Sequence, residues 1–63
     1  MNNYELAEIT KSVRKKLKIS QKELAVRIGT NQTEISFIER GFIPREDRIS
    51  AIKEIYNDIK KGD

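Results

Sequence analysis

The sequence predicts an all-α fold, a compact bundle of four or five helices forming one domain over residues 1–63. Apolar residues recur at spacings of three and four near both ends of the chain, the period of one helix face. Between them, SQKELAVRIGTNQTEISFIERG, from Ser20 to Gly41, contains two short amphipathic helices joined at one glycine. There is no strand signal, no internal repeat and no low-complexity linker.

The opening helix is expected over residues 4–18, where Leu6, Ile9, Val13 and Leu17 line one face with Thr10 between them. Asn3 suits the N-cap, Glu5 the positive end of the helix dipole and the lysines the other end. Ile19 anchors the link into Ser20. Ser20 and Glu23 are spaced to bond each other's free backbone N–H in a capping box, and Leu24, Ala25 and Ile28 give the second helix its apolar face. Gly29 ends it, because glycine takes a left-handed conformation without steric cost. Asn31, with Glu34 after it, caps a third helix expected from Gln32 to Arg40 and stopped by Gly41. Phe42 and Ile43 form a loop. Pro44 is then expected at the first helical position, with Glu46 and Asp47 in the first turn of a fourth helix running to about Lys60. Ile49, Ile52, Ile55, Tyr56 and Ile59 share its apolar stripe, and Arg45, Lys53, Glu54 and Asp58 are left for solvent. The KKGD tail is expected to fray.

Composition narrows the function. A 63-residue domain has room for a core but not for a cleft, and buries only about 60% of its unfolded surface. The chain has no cysteine and no histidine, which removes disulfides, the usual zinc ligands, thiol or imidazole nucleophiles and the commonest general base. No cofactor is expected and no constellation supports an enzyme. No apolar run approaches the roughly 18 residues of a membrane span. The N-terminal MNNYELAEIT lacks the basic and apolar regions of a signal peptide, so a cytoplasmic protein is expected. The net charge is only +3, yet between Lys11 and Arg27 seven basic residues face Glu23 alone. Such a basic segment fits a polyanion, although lysines on a helix are often simply solvated.

The string S-Q-x-E-L-A, then G, then I-S-x-I-E-x-G, with Pro44 shortly after, resembles the Cro and phage-repressor type (XRE family) of bacterial helix-turn-helix DNA-binding domains. The resemblance covers residues 5–56, and apolar spacing, both glycines and both caps agree. It implies a lambda-repressor-like fold and a sequence-specific, repressor-like transcriptional regulator of double-stranded DNA, with helix 32–40 in the major groove. It places base-reading residues at Gln32, Thr33 and Phe37, phosphate contacts around Gln21 and Arg40, and an ion pair between Arg14 and Glu39 that fixes the angle of the third helix. Many members have a fifth helix. Here a long fourth helix takes the remaining length, leaving either a smaller core or a stripe that a partner covers. Family members commonly bind palindromic operators as two-fold dimers, and the apolar Phe42 and Ile43 suggest weak self-association strengthened by DNA.

The residues support this reading independently. With Gln32 at 0°, the 3.6-residue turn puts Ile35 at about 300° and Ile38 at about 240°, and sends Gln32, Ser36, Arg40, Thr33 and Phe37 to the opposite face. That face offers an amide for an adenine edge, hydroxyls, a guanidinium and a ring. Without the motif these would be ordinary helix surface, and Phe37 could instead pack on Phe42. Gln21 sits where free N–H groups and the dipole attract a phosphate, with Lys22, Lys11, Lys15 and Arg45 as weaker contributors. An alternative function is a protein-interaction module, such as an antitoxin or anti-repressor, with the same fold. Whether the chain is a complete regulator or the N-terminal domain of a longer one is open.

Overall fold

Three left-handed residues end the first three helices and set the architecture. The computed structural model describes residues 3–62 but not the Asn3 side chain. The cap expected from Asn3 and the end of the tail at Asp63 therefore lie outside the described residues. The helices are α1 (Asn3–Leu17), α2 (Gln21–Ile28), α3 (Gln32–Glu39) and α4 (Glu46–Gly62). Lys18 after α1 has φ 57°, Gly29 after α2 has φ 81°, and Gly41 just beyond α3 has φ 110°. The same backbone bond closes each turn: Ile19 N–H to Arg14 at 3.1 Å, Thr30 N–H to Ala25 at 2.8 Å, and Phe42 N–H to Phe37 at 2.9 Å. This six-residue closure defines a Schellman motif. Both glycine stops match the expectation from sequence. Lys18 differs, because it lies outside α1 and turns the chain with a non-glycine residue in a conformation that crowds its Cβ.

Both expected caps form, but neither capping box closes. Ser20 Oγ accepts from the Glu23 N–H at 3.1 Å, and Asn31 Oδ1 accepts from the Glu34 N–H at 2.9 Å. The Glu23 carboxylate turns to Arg27, 3.2 Å away, instead of back to Ser20. Glu34 accepts from the Thr30 hydroxyl at 2.5 Å and from Arg48 Nε of α4 at 3.1 Å. α3 stops at Glu39, one residue short of the expected Arg40.

Pro44 does not occupy the first helical position. α4 opens at Glu46, because the Arg45 carbonyl takes the Arg48 and Ile49 N–H groups at 3.0 and 3.1 Å and makes Arg45 the cap. Buried Pro44 and buried Ile49 then stand at the two positions of a hydrophobic staple. At its far end α4 continues past Lys60 to Gly62, and the Lys60 ammonium lies 5.3 Å from the centroid of the Tyr56 ring.

Leu6, Val13, Leu24, Ile35, Ile38 and Ile52 are fully buried, with Ala25, Ile28 and Ile49 nearly so. Ile9, Leu17, Ile19, Ile55, Tyr56 and Ile59 pack around them, half-buried. α1 lies against α3 and α4, and α2 against α3. The α4 stripe is thus used inside the fold. Thr10 is buried as well, its hydroxyl donating to the Leu6 carbonyl at 2.8 Å, so it adds no unmet polar group to the core. The Cα radius of gyration is 10.5 Å, matching the roughly 10.6 Å of a compact chain of this length.

Candidate nucleic-acid interface

Burial of Ile35 and Ile38 orients α3, and so decides what it presents outward. Gln32 and Thr33 are exposed, Ser36 is half-buried and Phe37 is 48% exposed. These are the residues expected on the outer face. They are not equally free. The Phe37 ring lies 6.4 Å from the Phe42 ring at a 60° tilt, and the Arg40 guanidinium stands 5.0 Å from its centroid. Stacking and cation–π attraction therefore hold the ring in place while about half of it stays open. Arg40 Nε donates to the Ser36 carbonyl at 3.4 Å and Nη2 to the Ser36 hydroxyl at 3.2 Å, leaving Nη1 unengaged.

The expected pair between Arg14 and Glu39 is present and two-pronged. Arg14 Nε donates to Glu39 Oε2 at 2.6 Å, and Nη2 donates to Oε1 at 2.9 Å. The Glu39 side chain is 7% exposed and that of Arg14 27%. The hydrogen bond to Glu39 raises the Arg14 pKa above its ordinary value, against a lowering by burial and with a further raise from the carboxylate charge. The pair ties α1 to the end of α3.

Gln21 has a second engagement that its position in the sequence does not reveal. Its Nε2 donates to Glu39 Oε1 at 3.2 Å, and its Oε1 accepts from Gln32 Nε2 at 3.4 Å. The side chain turns inward along α3. What α2 leaves toward solvent is backbone: Glu23 N–H is taken by Ser20 Oγ and Leu24 N–H by the Ser20 carbonyl, while the Gln21 and Lys22 N–H groups precede the helical bonding pattern. Those two groups with the dipole make an anion-facing helix end. Lys22, Lys11 and Lys15 are exposed. Arg45, 71% exposed, pairs loosely with Asp47 at 3.3 Å.

Sequence reasoning missed Arg48 and Thr30. Both hold the Glu34 carboxylate, pinning the start of α3 to α4 and to the turn before it. No local signal marks them, because the Arg48 contact spans 14 residues. A shallow, open depression of about 480 Å³ lies on α1 among Ser12, Lys15, Lys16 and Lys18 and encloses nothing. Among the described residues no group of acidic side chains could hold a metal ion, and no helix is long and apolar enough to cross a membrane.

A helix-turn-helix family model matches residues 11–60, most of the chain, and the chain belongs to that family, in its XRE type. These are regulatory domains that bind double-stranded DNA, not enzymes. No curated protein and no solved structure matches the chain.

Proposed function

We propose that this domain is a sequence-specific transcriptional regulator of repressor-like action in the cytoplasm, which lays α3 in the major groove of a palindromic operator as one half of a two-fold dimer. The observation that carries the proposal is the split on α3: Ile35 and Ile38 are fully buried, while Gln32, Thr33 and half of Phe37 face outward beside the N-terminus of α2. Gln32, Thr33, Ser36 and Phe37 read bases. The amide suits an adenine edge, the Thr33 methyl and the Phe37 ring suit thymine methyls, and Ser36 offers a hydroxyl. Gln21 through its backbone N–H, Lys22, Arg40 through Nη1, and Arg45 contact phosphates and set the register. Arg14 and Glu39 hold the angle between α1 and α3.

Selection of binding sites from a randomised duplex library tests this. Gln32→Ala, Thr33→Ala and Phe37→Ala should each relax preference at one or two base pairs, losing about 1–3 kcal/mol on the preferred site and little on random DNA. If all three proteins select the same sequences as the parent, α3 does not read the groove, and a protein-interaction role takes its place.

A further inference from the structure

A chain of hydrogen bonds runs from the core to the outer face of α3, and its polarity is set at the buried end. Glu39 is 8% exposed, and its carboxylate, gripped by Arg14 through both oxygens, can only accept. Gln21 must therefore turn its amide nitrogen to Glu39 Oε1, 3.2 Å away. That choice aims Gln21 Oε1 the other way, toward Gln32, which must answer with a donor. It does so, with Nε2 at 3.4 Å. Of its four hydrogen-bonding positions, Gln32 is thus left with one N–H and both lone pairs of Oε1, in a fixed sense.

We infer that Glu39, acting through Gln21, locks the amide of Gln32 in the orientation that accepts from adenine N6 and donates to N7, and so makes the pair specificity-determining for adenine over guanine. This rests on the reading of Gln32 as a base contact. Adenine presents a donor and an acceptor in the major groove, whereas guanine presents two acceptors, O6 and N7. A locked amide sets Oε1 against guanine O6. An unlocked amide rotates and offers its nitrogen to either purine. Gln21 and Glu39 are positioning residues here, and neither needs to touch a base.

The test compares site selection, followed by affinity measurements on adenine and guanine versions of the selected site, for the parent chain, Gln32→Ala, Gln21→Ala and Gln21→Met. Gln21 is half-buried at the first position of α2, and Met keeps its length without the hydrogen bonds. Thermal unfolding followed by circular dichroism verifies that each protein is folded. The parent should prefer adenine at the position that Gln32→Ala relaxes. In both Gln21 variants the adenine-to-guanine affinity ratio at that position alone should fall about tenfold, with preferences elsewhere kept. A uniform loss of affinity with the ratio unchanged would overturn the lock while leaving α3 as the reading helix. A parent that prefers any other base at that position would also overturn it. Selection unchanged by Gln32→Ala would remove the underlying reading itself.

Discussion

Glu39 accepts from three donors on two other helices, Arg14 Nε and Nη2 from α1 and Gln21 Nε2 from α2. Truncating it leaves the guanidinium without its partner at 27% side-chain exposure and frees the Gln21 amide. Glu39→Ala should therefore destabilise the domain by about 2–3 kcal/mol, the lower end reflecting the water that still reaches Arg14. A shift in denaturant midpoint no larger than that of an exposed substitution such as Lys53→Ala would count against the pair as a structural tie. Its pH behaviour follows from the direction of the Arg14 shift. A cation whose pKa is raised on folding contributes fully below its unfolded value and loses the contribution only as pH climbs through the folded one. The Arg14 contribution should stay flat from neutral pH into the strongly alkaline range, and equilibrium unfolding between pH 7 and 10 measures it. The pair itself was legible from the motif. The attachment of Gln21 to it was not, because an exposed N-terminal glutamine of α2 and a buried glutamate 18 residues away meet only once the helices have packed.

At the scale of the element, three helix ends share one backbone solution with unequal residues in it. Gly29 and Gly41 are visible in the sequence because glycine is the residue that left-handed turns favour. Lys18 gives no such signal, which is why the turn after α1 was legible only as a short link at Ile19. Pro44 misled in the opposite way: a proline near acidic residues suggests the first helical turn, but burial at a staple position placed it ahead of the Arg45 cap. Exchanging the residue at two of these ends tests the account. Lys18→Gly should stabilise the domain by about 1 kcal/mol, since the strain is removed and the exposed side chain makes no ion pair. Gly29→Ala should destabilise it by about 1–2 kcal/mol through backbone strain alone, because a Cβ there meets nothing within 4 Å. Opposite signs in urea unfolding are the expected result. Equal destabilisation by both would mean that Lys18 is held by contacts rather than tolerated.

For the whole molecule, the distribution of charge matters more than its sum. Lys22 lies at the α2 N-terminus beside unbonded N–H groups, whereas Lys15 and Lys18 line the open depression on α1. If Lys22 neutralises a phosphate, Lys22→Ala should lower the slope of log affinity against log salt by about 0.9. Gln21→Ala should leave that slope unchanged, since an amide displaces no counterion. A salt titration of duplex binding with both variants separates a contact from diffuse attraction.

The same scale decides how many copies act together. One domain with extents of 28 × 25 × 18 Å can cover about one half-site, and two half-sites a helical turn apart lie about 34–36 Å from centre to centre. Two such domains, one per half-site, would therefore come close to touching. The loop after α3 supplies a surface for that contact: Phe42 is 52% exposed and Ile43 is 39% exposed, although Phe37 covers part of Phe42. These two side chains are too small a patch to hold a stable dimer, since specific interfaces bury about 800 Å² on each partner. Association should be weak in solution and should strengthen on a palindrome, where the DNA brings the loops together at high effective concentration. Sedimentation velocity should show a monomer at micromolar concentration and a two-to-one complex on a palindromic duplex. Ile43→Asp should reduce the cooperativity of that complex while leaving half-site affinity within about twofold. A one-to-one complex on the palindrome at saturating protein would rule out the paired arrangement.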